Sequence, residues 1–229
     1  AFAPPQNLFN LANYTAALSY DDGLMLRGFM NSAILIVISV TLSVVFGTMS
    51  AYALERFDFT LRKIILGLFV LSVLIPRETT HVATFSIIKT LGLFNTRLAG
   101  IVIYSGTDII LITIFLQFIN QIPASIDESA RIDGASYVTV YQRMIVPLLK
   151  PAIVTVIIIK SVWLYNDLFV PLLFMPARRL NTVNLALKTF GEGSGAGRIT
   201  EWPLMSAAVV VALLPTLIFY IFFQRSIIS

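Results

Sequence analysis

Charged residues are rare in this 229-residue chain, so polar residues inside its apolar stretches are the first candidates for chemistry. Lys160 and Asp167 are seven residues apart, which places them on one face of a helix with Trp163 close by, and Tyr165 and Asn166 flank that face. A flat aromatic ring covers the apolar face of a sugar, while carboxylate and amide groups bind its hydroxyls. These five residues predict a saccharide pathway. The alternative is that the rings pack and that Lys160 snorkels or pairs with a second subunit.

A second polar group follows Pro76 inside another apolar stretch and contains Arg77, Glu78 and His81. Because lipid does not solvate charge, such a group marks either a helix end or a wet cavity. One interpretation is a structural ion pair at the helix end. The other is that Arg77 and His81 contact an anionic saccharide, helped by the arginines at 178–179. His81 is the only histidine in the sequence and no carboxylate cluster surrounds it, so no metal site is predicted.

The third polar group is residues 127–147, which read DESARIDGASYVTVYQRMIVP. Ser125 and Glu128 form an S-x-x-E pattern that is typical of a capped helix start. Gly134 suits a left-handed helix end. The pattern predicts a short helix, a sharp bend, and a second helix that runs to Pro147.

The composition indicates that lipid is the solvent for most of the chain. Hydrophobic residues make up 57% and charged residues 12%, and the mean hydropathy is +0.86. The net charge of +4 is spread out, which gives no basic cluster for nucleic acid. The chain lacks cysteine, a phosphate-binding G-x-x-x-x-G-K-[ST] loop and a catalytic cluster. It is therefore predicted not to be an enzyme and to bind no cofactor itself.

The elements that must position these residues are helices that cross a bilayer. The apolar stretches are continuous rather than alternating, so the predicted fold class is an all-α polytopic membrane protein. Counting basic residues does not decide which side of the membrane each connection faces. The five predicted spans are 29–54, 64–85, 98–119, 151–174 and 204–223, and the two long polar connections are 120–150 and 175–203.

The segment at 127–147 resembles the EAA loop of permease subunits in bacterial ABC importers. Glu128, Ala130, Gly134 and Pro147 match that pattern at its spacing, and residues 132–136 are similar to its carbohydrate branch. Ser129, Met144 and Val146 are conservative departures. Further similarities lie along the whole chain, at 31–32, 51–57, 91–96, 163–167 and 224–225.

The resemblance implies one ABC transmembrane domain over residues 1–229, with the type I permease helical bundle. It implies six spans in the intact protein, one of them before residue 1, and a short tail after the last residue. It also implies that 120–150 is a cytoplasmic coupling loop and that 175–203 is periplasmic. The protein is thus expected to be a multi-pass protein of the bacterial cytoplasmic membrane.

The resemblance also implies partners. These are a second permease that forms a heterodimer with this chain, two ATPase subunits that hold ATP and Mg²⁺, an external solute-binding protein, and a saccharide. The helix at 125–134 would dock on the ATPase, unless it merely turns the chain around. The residues expected at that contact are Asp127, Glu128, Ala130, Arg131, Asp133 and Gly134.

The leading hypothesis is the permease of an ATP-driven importer for a di- or oligosaccharide, with an acidic saccharide as one option. A permease for another small solute is one alternative. A secondary transporter or channel is another, and would need intramembrane carboxylates in paired halves. Asp108 and Asp167 are such carboxylates, but paired halves are not visible in the sequence.

Overall fold

The computed structural model describes residues 11–192 and 202–228, and every regular element in that part is a helix, as predicted. The α-helices are α1 Ala12–Arg56, α2 Arg62–Leu74, α3 Arg77–Thr90, α4 Arg97–Ser105, α5 Ile109–Asn120, α6 Ser125–Ile132, α7 Tyr137–Val140, α8 Val146–Leu148, α9 Lys150–Asn166, α10 Phe169–Phe174, α11 Val183–Glu192 and α12 Trp202–Ile228. A π-helical turn, Tyr141–Ile145, joins α7 to α8, and a 3₁₀ turn, Arg178–Leu180, precedes α11.

Helix α1 is the central element, because α4, α5, α9, α11 and α12 all pack against it. Its first turns are set off by a kink at Tyr20, after which Asp21, Asp22 and Gly23 adopt left-handed backbone angles with φ of 49°, 56° and 74°. From Leu24 onward α1 passes through three buried clusters in turn. Met25 packs with α11 and α12, Leu35 with α4 and α10, and Ala51 with α5 and α9.

Three of the five predicted spans are not continuous helices, and a proline or an aspartate stands at each break. Between α2 and α3 the chain turns by 112° at Pro76, which cannot donate a backbone hydrogen bond. Between α4 and α5 it bends by 45°, and Asp108 Oδ1 accepts the Leu111 amide at 3.1 Å. Between α9 and α10, Asp167 Oδ1 accepts the Phe169 amide at 2.8 Å. Asp108 is the N-cap of α5, and Asp167 lies one residue before Leu168, the N-cap of α10, so both carboxylates mark helix starts inside apolar sequence.

By length and composition, α1 alone is long and apolar enough to cross a membrane among the described residues. Up to four elements qualify when each bent pair is taken as one span: α2 with α3, α4 with α5, and the 137–148 segment with α9. The described residues 202–218 of α12 form a shorter apolar helix. Five crossings thus remain a prediction.

Within the described residues, the connection at 175–203 contains the 3₁₀ turn and helix α11. Helix α11 packs between α1 and α12, and the Phe190 ring lies 4.5 Å from the Tyr20 ring. Residues 191–197 form a glycine-rich run, GEGSGAG, most of which falls outside the described residues.

Close contact between α1 and the chain before α11 depends on Gly28. A Cβ there would lie 3.3 Å from backbone atoms of Thr182 and Val183, which cannot move aside as a side chain can. Gly28→Leu is therefore expected to lower stability by about 1–3 kcal/mol through overpacking. In detergent, this should reduce the Tm by about 2–4 °C for each kcal/mol. Gly67→Leu is the matched control, since no atom lies within 4 Å of a Cβ at Gly67 in α2, and an equal loss in both variants would contradict the explanation.

Candidate functional site

Helix α6 projects the predicted contact residues at one end of the bundle. Glu128, Arg131 and Asp133 are exposed, and Ile132 is 86% exposed. Ala130 points inward and is buried against the core. The surface that α6 offers to a partner is therefore charged, with one apolar side chain at its end.

The end of α6 is as predicted, but its start is not. Gly134 has φ +86°, its amide donates to the Arg131 carbonyl at 3.0 Å, and no atom lies within 4 Å of a Cβ placed there. The predicted capping box of Ser125 and Glu128 is wrong. Ala124 is the N-cap and makes no side-chain cap hydrogen bond, while its carbonyl accepts the Glu128 amide at 3.1 Å. Because the turn after Pro123 is already helical, Ser125 lies inside the helix rather than before it.

Asp127 turns inward, so it does not belong to the exposed contact surface that the sequence suggested. It is 9% exposed, and its Oδ2 lies 2.6 Å from Nε of Arg56, at the end of α1. Arg56 Nη2 also donates to the Ile122 carbonyl at 2.6 Å. Burial raises the pKa of the Asp127 carboxyl, and the Arg56 charge opposes that rise. Arg56 thus ties α6 and the end of α5 to α1.

A chain of aromatic contacts forms a second link between α6 and α1. The Arg131 guanidinium lies 3.9 Å from the centre of the Tyr137 ring, a cation–π distance. Tyr137 and Phe57 have ring centres 4.8 Å apart. The series of contacts continues along α1, where the Tyr52 ring lies 6.0 Å from the Phe57 ring and 5.5 Å from the Tyr141 ring. The Tyr141 hydroxyl lies 2.8 Å from Thr48 Oγ1. These contacts run from α6 to Thr48, about two turns before the end of α1.

The second candidate site is a cleft of about 390 Å³ between α3, α4, α9 and α10. Four of the predicted pathway residues line it: His81, Lys160, Trp163 and Asp167. The structure adds residues that the sequence analysis did not assign to this site, namely Thr80, Thr84, Tyr104, Thr107 and Asp108.

The polar groups of the cleft are held by hydrogen bonds to its own walls. Lys160 is 4% exposed, and its Nζ donates to the Gly106 carbonyl at 2.7 Å. The Tyr104 hydroxyl donates to Asp167 Oδ2 at 2.7 Å, and the Tyr104 ring meets the Trp163 ring edge-on at 5.9 Å. Trp163 remains 43% exposed. The cleft therefore offers an open aromatic ring beside fixed charges, an arrangement suited to a hydroxyl-rich ligand.

Tyr165 and Asn166 do not reach the cleft. The Tyr165 hydroxyl donates to the Ala212 carbonyl of α12 at 2.6 Å, and Asn166 Nδ2 donates to the Val162 carbonyl at 2.8 Å. Each residue advances about 100° around α9, so positions 160 and 163 share one face while 165 and 166 turn away from it, and Asp167 follows the last residue of the helix. Tyr165 therefore links α9 to α12, and Asn166 makes its hydrogen bond to the backbone of α9.

His81 lies at the α3 side of the cleft, with its ring 6.0 Å from that of Phe174. The side chains of Arg77 and Glu78 fall outside the described part of the structure, so neither their predicted pairing nor a contact with substrate is tested. Within the described residues, no group of three or more histidines and carboxylates could hold a metal ion.

Comparisons with known proteins agree on one family. Residues 43–228 match the family model described as the binding-protein-dependent transport system inner membrane component. The chain is 31% identical to a melibiose/raffinose/stachyose import permease of Bacillus subtilis, over 89% of this chain and 73% of the relative. It is also 31% identical to a probable starch degradation products transport permease of Thermoanaerobacterium thermosulfurigenes, over 98% and 80%.

The fold also matches a solved structure. A bacterial ABC transporter involved in the import of the acidic polysaccharide alginate contains a chain that superposes with a TM-score of 0.84 at 21% identity. The superposition covers 94% of this chain and 79% of that one. The arrangement of helices described above is therefore that of an importer permease.

Proposed function

The chain belongs to the family of binding-protein-dependent transport system inner membrane components, and from that premise we propose how it moves a di- or oligosaccharide across the cytoplasmic membrane. The protein is an inner membrane permease of an ABC importer, which works with an ATPase and a solute-binding protein. One observation carries the proposal: the exposed helix α6 and the cleft around Lys160 are joined by the same central helix α1.

Helix α6 would transmit the movement of the ATPase. ATP and Mg²⁺ would bind to two ATPase subunits, whose closure displaces α6. Arg56 and the aromatic contacts around Tyr137 would carry that displacement into α1. Since α1 packs against α4 and α9, its movement would open or close the cleft. The ATPase must bind the two states of the permease with different affinities for this coupling to work.

The cleft would form part of the saccharide pathway. Trp163 would cover an apolar sugar face, and Asp167, Thr80 and Thr84 would bind hydroxyls. Asp108 and Asp167 outnumber the single ammonium of Lys160 among the cleft residues. This balance favours a neutral saccharide over an acidic one, because a ligand carboxylate would face two like charges. A second, related permease would complete the pathway from the other side.

The coupling role is tested by Gly134→Arg, with Gly92→Arg as a matched control. Both glycines have positive φ, +86° and +70°, and no atom lies within 4 Å of a Cβ at either position. The local strain of an L-residue is therefore similar, about 1–2 kcal/mol. Gly134 is next to α6, whereas Gly92 follows α3 at the opposite end of the bundle. Gly134→Arg is expected to lower ATP-dependent raffinose uptake in proteoliposomes at least tenfold, and Gly92→Arg to leave it within about twofold of wild type.

The same preparations should show whether the ATPase copurifies with each variant. Loss of the ATPase in Gly134→Arg alone would agree with docking at α6. Normal uptake and normal copurification in Gly134→Arg would contradict the proposed coupling surface. Uptake by the wild type that persists without ATP would contradict an importer mechanism and favour a secondary transporter.

A further inference from the structure

A second cleft lies at the other end of the bundle from α6. It has a volume of about 400 Å³ and is lined by residues 95–98 and 179–180, at the start of α4 and before α11. Asn31 of α1 lies beside it, about 25 residues before Arg56, which contacts α6. At about 1.5 Å per residue this is roughly 38 Å along α1, more than the ~30 Å hydrocarbon core. The two ends therefore lie on opposite sides of the membrane, and we name this the outer cleft.

One buried side chain, Asn31, organises the outer cleft. Asn31 is 1% exposed, and its Oδ1 accepts a hydrogen bond from Arg97 Nε at 2.9 Å. Its Nδ2 donates to the carbonyls of Arg179 and Asn181, each at 2.9 Å. The amide thus orients the Arg97 side chain and fixes the backbone that bears Arg179. Both arginines are exposed at the cleft.

The arginines of this end differ in whether a carboxylate neutralises them. Asp21 forms an ion pair with Arg178, whereas Arg27 donates only to the backbone carbonyl of Asp21, from Nη2 at 2.6 Å. Among the described side chains, no ion pair within 4.0 Å includes Arg97 or Arg179. The outer cleft therefore carries one guanidinium that Asn31 orients, that of Arg97, and a second, exposed one on a fixed stretch of backbone, that of Arg179, and no described carboxylate pairs with either.

We propose that the outer cleft binds an acidic side chain of the external solute-binding protein. Guanidinium groups bind carboxylates through paired N–H donors, and an arginine that is already held by Asn31 loses less side-chain entropy on binding. Complementary charge would steer the binding protein to this face and set its orientation. The inference rests on the proposed function, since it requires a binding protein that delivers the saccharide.

The carboxylate is assigned to the protein partner rather than to a saccharide for two reasons. Arg97 and Arg179 are exposed, and a small ligand gains little from charge pairing in water. A docked protein excludes that water and strengthens the pair. In addition, an acidic saccharide would next meet Asp108 and Asp167 in the cleft around Lys160, which we name the inner cleft, and these carboxylates oppose its passage.

The test is the affinity of the assembled importer, in nanodiscs, for the solute-binding protein that supports its uptake. Replacing both arginines, Arg97→Gln with Arg179→Gln, is expected to weaken binding about tenfold at low ionic strength. Wild-type binding should weaken with added salt, whereas binding to the double variant should depend less on salt. Arg97→Lys with Arg179→Lys should keep the salt dependence but recover only part of the affinity, because lysine keeps the charge and loses the paired donors. Lys89→Gln is the matched control, because Lys89 is an exposed cation near the same end, outside the cleft.

Unchanged affinity and salt dependence in the double glutamine variant would overturn the inference. It would also be overturned if uptake of a uronic-acid oligosaccharide fell while the affinity for the binding protein and the uptake of raffinose stayed constant, since the carboxylate would then belong to the saccharide. A wild-type importer that no solute-binding protein stimulates would contradict the proposed function itself. Stimulation with unchanged affinity in the variant contradicts only this assignment.

Discussion

Replacing Arg56 with methionine is expected to abolish ATP-driven uptake and to destabilise the protein. Methionine retains an unbranched apolar stem, but it removes the charge that faces Asp127 at 2.6 Å and the donor to the Ile122 carbonyl. A buried carboxylate would be left without its cation, a change that costs about 3–5 kcal/mol. Uptake in proteoliposomes and the Tm in detergent should both fall, the first by at least tenfold.

The stability of Arg56→Met is expected to depend on pH, because Asp127 takes up or releases a proton. Burial already raises the pKa of this carboxyl in the folded protein, and removing Arg56 takes away the charge that opposes the rise. The folded state then holds the Asp127 proton to a higher pH than the unfolded chain does, so the free energy of unfolding falls as pH rises through that interval. The stability deficit of Arg56→Met should be small at pH values below the ordinary carboxyl pKa and should widen above it.

Two further variants separate coupling from stability. Arg62→Met is the matched control, because Arg62 reaches Glu55 and Asp58 only at 3.3 and 3.5 Å in a more exposed setting, where ion pairs contribute little. The double variant Arg56→Met with Asp127→Asn removes the buried charge and should recover much of the Tm and lose the pH dependence. If uptake recovered together with the Tm, Arg56 would matter only for folding. Continued loss of uptake would identify the link between α6 and α1 as part of the coupling path.

The sequence predicted α6 well where the information is local. The left-handed end at Gly134 follows from one residue, and the short helix was predicted between Pro123 and Gly134, where the structure has Ser125–Ile132. The inward turn of Asp127 could not be predicted in the same way. Its partner, Arg56, is 71 positions earlier and meets it only when α1 and α6 pack. The capping box failed because Pro123 and Ala124 had already begun the turn.

The breaks at Asp108 and Asp167 could have been predicted from the sequence, but a hydropathy average does not show them. Asp108 and Asp167 each stand just before an apolar run and accept an amide two or three residues later, the ordinary chemistry of a helix start. A window of about 20 residues averages such a residue away. Both carboxylates line the inner cleft as well, so the residues that break the helices also provide polar groups at the candidate site.

Helical periodicity was sufficient to group Lys160, Trp163 and Asp167, because the first two share one face of α9 and Asp167 directly follows the last residue of that helix. It could not supply Tyr104, which comes from α4 and binds Asp167 across the cleft. The residue types of Tyr165 and Asn166 suggested that they would join this group. An aromatic ring can equally well pack between helices, and an amide can equally well hydrogen-bond the backbone. Only the direction in which each side chain points distinguishes the two uses.

Lys160→Met is expected to lower saccharide uptake at least tenfold. Lys160 is buried, and its ammonium donates to the Gly106 carbonyl at the bend between α4 and α5. It is the lone ammonium among the described cleft residues, which also include Asp108 and Asp167. Without the Lys160 charge, nothing offsets the repulsion between the two carboxylates in a low-dielectric site, and the bend between α4 and α5 loses a hydrogen bond. Lys150→Met is the matched control on the same helix, because Lys150 is exposed at the start of α9.

The double variant Lys160→Met with Asp167→Asn decides between contact with the saccharide and simple charge balance. Asparagine keeps an acceptor for the Phe169 amide while removing one negative charge, so the Tm of the double variant should exceed that of Lys160→Met alone. Uptake should stay well below that of Asp167→Asn alone if Lys160 binds the saccharide during passage, and raffinose and a uronic-acid oligosaccharide should both be affected. Recovery of uptake to the level of Asp167→Asn, together with the Tm, would show that Lys160 acts only by balancing Asp167. Normal uptake and a normal Tm in Lys160→Met would instead mean that the ammonium has no part in transport, and that the cleft is a packing defect between α4 and α9 rather than a saccharide pathway.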